Sequence, residues 1–216
     1  MIVAGIDEAG KGPVLGPMVL AIFEVDEGRL GEVRASGAKD SKLLSENKRE
    51  EILSRLEKIG SGKVKVISSQ ELDSRDCSLN EFEIREIAEL IDNSQAGEFY
   101  IDSIEANGEK LAEKIRARLR GKRTVRIIAK PKADRDYPVV SAASIFAKVR
   151  REKEISELKK VFGDFGSGYP SDERTINYLK NFISENGAPP SIARTSWETV
   201  RKLIKGGNDP VQKKLF

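Results

Sequence analysis

Apolar runs of strand length recur at residues 2–6, 18–25, 64–68, 98–101 and 125–128. Bounded by polar, glycine or proline positions, they predict five strands. Between the last two, Leu111, Ile115 and Leu119 recur every fourth residue, which predicts an amphipathic helix over 105–119 and hence a β-α-β unit. The first two runs are joined by a short glycine- and proline-bearing stretch that suits an antiparallel pair, whereas the later strands need helical crossovers and read as parallel. Further helices are predicted over 45–59 with Ser45 as N-cap, 79–93, 139–162 with room for one break, 171–186 and 196–205. The pattern is that of an α/β fold, a mixed five-stranded sheet flanked by helices. Residues 1–162 read as the sheet domain, 163–205 as a helical extension, and 206–216 as a tail detached by Gly206, Gly207 and Pro210.

Composition narrows the chemistry. No stretch approaches the ~18 apolar residues of a membrane span, and Met1 opens directly on a strand pattern, so a soluble, cytoplasmic protein is expected. Cys77 is the only cysteine and there is no histidine. That removes an intrachain disulfide, a cysteine-built zinc site, and every nucleophile or general base that relies on imidazole. Catalysis must then rest on carboxylates, lysine, hydroxyls, water or a hard metal ion. The 38 Lys and Arg against 35 Asp and Glu give a net charge of only +3, but the charges are segregated. Residues 71–109 hold twelve acids, and 114–135 hold ten basic residues against the single acid Asp134. The basic block can meet a polyanion, or it can be a solvated helix face.

Gly5-Ile6-Asp7-Glu8-Ala9-Gly10-Lys11-Gly12 fits the G-x-x-x-x-G-K spacing of a phosphate-cradling loop. The chemistry does not follow: Gly12 stands where a Mg²⁺-ligating Ser or Thr is needed, and Asp7 and Glu8 would face the phosphates. Pro13 and Pro17 also oppose a long helix after the loop. The segment reads better as paired carboxylates at the end of a buried strand, followed by a flexible glycine turn. Adjacent acids there are costly without a cation, and a divalent ion with oxygen ligands is the usual compensator. Asp102 ends a later strand, and Asp134 precedes a helix. Carboxylates at strand ends converge in open α/β sheets, and two metal ions ~3.5–4 Å apart need about this many ligands. For any one of these acids, a cap or an exposed charge is an equally good reading.

Taken together, Gly5–Pro17, Asp40-Ser41-Lys42, Asp102-Ser103, Lys132-Ala133-Asp134, Tyr137–Arg150 and Gly166-Ser167-Gly168-Tyr169-Pro170-Ser171-Asp172 resemble ribonuclease HII, the type 2 RNase H family, in its single-chain prokaryotic form. The resemblance spans nearly the whole chain. It implies an RNase H-like sheet with a C-terminal helical extension. It also implies Mg²⁺- or Mn²⁺-dependent endonucleolytic cleavage of RNA in RNA–DNA hybrids, or of ribonucleotides embedded in duplex DNA. By motif, Asp7, Glu8, Asp102 and Asp134 are the implied catalytic and metal-binding carboxylates, with Asp136 as a fallback because Pro131 replaces a frequent family histidine. Gly10, Lys11 and Gly12 match the glycine-rich turn that reads the ribose 2′-hydroxyl, with Lys where the family often has Arg. Tyr169 matches the tyrosine at the scissile junction, and Lys42, Ser141 and Lys148 fall in phosphate-holding segments. A two-metal mechanism would leave 5′-phosphate and 3′-hydroxyl ends.

Two other classes fit parts of the pattern. A junction-cleaving nuclease of the same fold would keep the acids but have no use for a 2′-hydroxyl reader, and a non-catalytic hybrid-binding module would need only the basic block. The tail carries Gln212, Leu215 and Phe216, which resemble a shortened sliding-clamp-binding motif; a tail tucked back onto the domain explains the same apolar pair.

Overall fold

Ile2–Ala9 forms strand β1 and Met18–Asp26 forms β2, antiparallel and in register from Ile2↔Asp26 to Ala9↔Val19. The computed structural model describes residues 1–38, 44–103, 107–121 and 124–207. Within them β3 (Ser61–Ile67), β4 (Glu98–Asp102) and β5 (Arg126–Lys130) complete a sheet in the order β3-β2-β1-β4-β5. β4 is parallel to β1, and β5 to β4, as the helical crossovers require. Pairing of β1 with β4 ends at Ile6↔Ile101, while pairing with β2 continues to Ala9↔Val19. Asp7 and Glu8 therefore lie inside the strand, not past its end, and stand where the parallel side of the ladder has run out.

The helices are α1 (Leu30–Ala35), α2 (Glu46–Ile59), α3 (Ser69–Asp73), α4 (Leu79–Asp92), α5 (Gly108–Arg116), α6 (Ala133–Asp136), α7 (Pro138–Phe162), α8 (Glu173–Asn186) and α9 (Glu198–Gly207). Ser45 caps α2 by accepting the Lys48 N–H at 3.4 Å. α7 runs unbroken, since no Gly or Pro interrupts it after Pro138. The short helices α1, α3 and α6 were not foreseen; one turn of helix is too brief to display a 3.6-residue period. No helix among the described residues is long and apolar enough to cross a membrane.

The described residues form two compact units. The first comprises Met1–Ala9, Val19–Val66 and Asp76–Glu152. Its core joins Val3, Ala21, Phe23 and Val25 of the sheet to Ile52 and Leu56 of α2 and to Val139, Val140, Ile145 and Phe146 of α7. Full burial of each Val, Leu, Ile or Phe side chain among these contributes roughly 1.5–3 kcal/mol. Gly5 is what lets α7 lie so close: a Cβ there would fall 2.2 Å from the Val139 carbonyl. The second unit comprises Gly10–Met18, Ile67–Arg75 and the chain from Lys153 onward. Val14 and Leu15 share its core with Phe165, Leu179, Ile192, Ala193 and Val200.

Candidate active site

In the first unit, register decides which acids meet. Gly5 is the partner of Tyr100 across β1 and β4, so Asp7 and Asp102, each two residues further along, project from the same face. That face carries α7, whose Ser144 hydroxyl hydrogen-bonds to the Asp7 carboxylate. Asp7 is 7% exposed and also accepts the Glu8 N–H at 2.8 Å. Burial, with the negative charges of Glu8 and Asp102 added, holds its carboxyl well above the usual carboxylate range, while the Ser144 hydroxyl and Glu8 N–H pull the other way.

The fourth acid arrives through a strained turn. Lys132 is left-handed at φ 60°, the only non-glycine residue of positive φ among those described. It swings the chain from β5 into α6, so that the Ala133 N–H donates to Asp102 Oδ1 at 2.9 Å and Asp134 follows directly. The Ser141 hydroxyl donates to the Asp134 and Tyr137 carbonyls, which fastens α6 to α7 and spends its one proton inside the protein. Asp136 is paired with Lys130, whereas Asp134 has no ion-pair partner among the described residues. Arg34, Ala38, Arg135, Asp136 and Ser141 line a cavity of about 280 Å³ beside this corner.

Among the described residues, no three His, Cys, Asp or Glu side chains are already grouped as a metal centre. The donor set nevertheless fits a hard divalent ion: it is all oxygen, and Asp7 is buried among like charges, the condition a cation relieves. Ser144 was not singled out from sequence. Its signal was the Ser141–Ser144 spacing, which puts both hydroxyls on one side of α7.

The glycine turn belongs to the second unit. Gly12 is exposed and Lys11 half-buried. A Cβ on Gly12 would lie 3.6 Å from the Tyr169 ring, so the turn's outward surface and that ring, 40% exposed, face one another. Tyr169 is held by its own loop: Asp172 accepts the N–H groups of Ser167 and Arg174 at 2.7 and 3.0 Å, and Gly168 donates to Thr175 Oγ1 at 3.0 Å. Lys148 is half-buried on α7. Lys42, with Asp40 and Ser41, and the tail residues Gln212, Leu215 and Phe216 lie outside the described residues.

Some of the segregated charges answer one another. Arg116 pairs with Glu109, Arg118 with Glu81 and Arg126 with Glu98. Of these, Arg116 lies in α5, Arg118 past its end and Arg126 in β5, so the basic block is not a single helix face.

The sequence model of the family described as Ribonuclease HII matches residues 4–200. Ribonuclease HII of Pyrococcus furiosus is 43% identical over 206 residues, covering 94% of this chain and 91% of the relative. Among solved structures, the ribonuclease H2 of Pyrococcus horikoshii OT3 superimposes with a TM-score of 0.91 at 40% identity, covering 97% of this chain and all of that one. The RNase HII solved in complex with PCNA from Archaeoglobus fulgidus is 42% identical with a TM-score of 0.85, covering 93% of this chain and 96% of that chain.

Proposed function

This chain belongs to the ribonuclease HII family of metal-dependent endoribonucleases acting on RNA–DNA hybrids, and on that footing we propose that it cleaves at ribonucleotides, including single ones embedded in duplex DNA, by two-metal hydrolysis. The observation that carries this reading is Asp7, buried beside two other negative charges with its proton affinity raised. Such a carboxylate is poised for cations.

Asp7, Glu8, Asp102 and Asp134 would hold the ions, Mg²⁺ or Mn²⁺. When bound, they supply Lewis-acid polarisation of the scissile phosphate and a lowered pKa for the attacking water. The Lys130–Asp136 pair supports Asp134 over Asp136 as the fourth ligand. The chain's own residues set the geometry: Ser144 orients the Asp7 carboxylate, Ala133 N–H orients that of Asp102, and Ser141 pins the start of α7 to the Asp134 main chain. Water's oxygen joins phosphorus as the bond to the 3′-oxygen breaks, giving a 5′-phosphate and, with one proton taken up, a 3′-hydroxyl. No imidazole is needed.

Selection of ribose falls to the glycine turn and Tyr169. Only the 2′-hydroxyl separates RNA from DNA at one nucleotide, and Gly10 and Gly12 carry no side chain to keep the main chain away from it. Lys148, and Lys42 outside the described residues, would meet the phosphates. A junction nuclease would not need these features. Cleavage of a DNA duplex carrying one ribonucleotide, with and without Mg²⁺ and against an all-DNA control, tests the reading; cutting of the all-DNA duplex at a comparable rate would overturn it.

A sliding clamp is the proposed protein partner, through Gln212, Leu215 and Phe216. A related RNase HII has been solved with PCNA, and tethering raises local concentration without new contacts at the active site. Deleting residues 212–216 should weaken clamp binding while sparing the rate on a short duplex without clamp. Unchanged clamp affinity would reject the tail's role.

A further inference from the structure

Arg194 is 0% exposed, and an Arg is almost never fully buried unless its charge is met. Three main-chain carbonyls meet it, all from the glycine-rich segment. Nη2 donates to Gly10 O at 2.7 Å, Nη1 to Lys11 O at 3.0 Å and Nε to Gly16 O at 2.9 Å. The guanidinium carbon lies 5.0 Å from the centre of the Trp197 ring. Main-chain bonds bracket it: Arg194 N–H to Val14 O at 2.9 Å, Gly16 N–H to Ile192 O at 2.9 Å, and Trp197 N–H to Arg194 O at 3.0 Å.

A trans peptide points its C=O and N–H in opposite directions. Drawing the Gly10 and Lys11 carbonyls toward Arg194 therefore turns the next amides, those of Lys11 and Gly12, away from it. Gly12 is exposed, and its N–H has no acceptor among the described residues. The same residue faces the Tyr169 ring. The buried charge does more than orient. A cation on the oxygen side polarises each peptide and strengthens its N–H as a donor, because hydrogen bonds in series reinforce one another.

We infer that Arg194 is a positioning residue for ribose recognition: it holds and polarises the glycine turn so that the outward-facing Gly12 amide donates to the 2′-hydroxyl of the nucleotide at the cleavage point. It does not touch the substrate. The inference rests on the assignment of that turn as the ribose reader, and the test separates the two. Lys in place of Arg keeps the charge and the stem but lacks the planar fork that reaches three spread carbonyls.

The experiment measures affinity, without divalent ion, for a DNA duplex carrying one ribonucleotide and for the all-DNA duplex. It compares the wild type with Arg194→Lys, Trp197→Phe and Gly12→Ala. Arg194→Lys should lower the ribose preference about tenfold, roughly the worth of one good hydrogen bond, while all-DNA affinity stays within about twofold. Trp197→Phe, which keeps a ring against the guanidinium, should lower the preference less and covers the case in which the Lys variant does not fold. A purely structural Arg194 would change both affinities together, and that result overturns the inference. Unchanged preference in both the Lys and Phe variants, with loss in Gly12→Ala, also overturns it and leaves the glycine-turn assignment standing. Unchanged preference in all three variants overturns that assignment as well.

Discussion

Asp7 and Asp172 both accept main-chain N–H donors, yet their proton affinities move in opposite directions. Asp172, in the second unit, takes the Ser167 and Arg174 amides and the Arg174 side chain, and these hold its carboxyl well below the usual range. Asp7, in the first, takes one amide and one hydroxyl but is buried beside Glu8 and Asp102, and its carboxyl is held well above that range. Hydrogen bonds win where several donors converge on one half-buried carboxylate, and desolvation with like charge wins where the carboxylate is buried with few donors. The difference separates two kinds of site. The carboxylate end of β1 gathers buried like charge that a cation would relieve. The glycine turn and Tyr169 loop are held by named partners, the turn's carbonyls by Arg194 and the loop's amides by Asp172 and Thr175.

The contrast is broken most decisively at the acids. Asp102→Asn should lower turnover by a factor on the order of 10²–10⁴ and leave hybrid affinity within a fewfold, because the role proposed for the acids is to hold metal and not to grip the backbone phosphates. Asp134→Asn should do the same and Asp136→Asn much less, since Asp136 is spent on Lys130. Cleavage rates under saturating Mg²⁺ decide this; loss in Asp136→Asn with near-normal Asp134→Asn would assign the fourth ligand to the wrong residue.

A smaller effect is expected at the turn. The Cβ of Gly12→Ala meets the Tyr169 ring at an ordinary contact distance of 3.6 Å, so the variant should fold while a methyl group fills the space before the amide. Tyr169→Ala should remove the opposite wall. Each is expected to slow cleavage at a single embedded ribonucleotide about tenfold, the scale of one lost polar contact, with little change in cleavage of long hybrids. A wild-type rate in Tyr169→Ala at the single ribonucleotide would remove that residue from sugar recognition.

The two sites were not equally legible in the sequence. The strands and the parallel or antiparallel sense of their pairing followed from apolar runs and connection lengths, and the places of the acids near strand ends followed from the same runs. Both are local signals. The extension of β1 through Asp7 and Glu8 was not visible, because it depends on the length of the β2 ladder. Nor was the left-handed Lys132, a conformation that favours Gly or Asn, nor Ser144, which matters only once the Gly5 contact brings α7 onto β1. The glycine turn showed its composition but not its support. Arg194 is 184 residues from Gly10, and a buried arginine solvating carbonyls leaves no periodic or motif signature.

The smallest expected effects are opposed stability slopes at the two aspartates, measured on metal-free protein. A carboxyl whose folded pKa is raised binds more protons folded than unfolded. Stability then falls as pH rises from the unfolded value, about 4, to the raised folded one, and stays low above it. Asp7→Asn removes that ionisation. It should leave the melting midpoint nearly unchanged below about pH 4 and raise it at neutral pH by about 2–4 °C for each ~1 kcal/mol of relieved repulsion. Added Mg²⁺ should raise the neutral midpoint of the wild type more than that of the variant. For Asp172 the sign reverses. Its folded pKa is depressed, so its contribution is present above the unfolded value and fades as pH falls through the folded one. Asp172→Asn should therefore lower the neutral midpoint, and the gap to the wild type should close on acidification. Thermal melts in chelator at stepped pH read both slopes at once. A neutral wild-type midpoint no lower than that of Asp7→Asn would mean that the carboxylate end of β1 carries no unanswered charge, and the contrast between the two sites would fail at its origin.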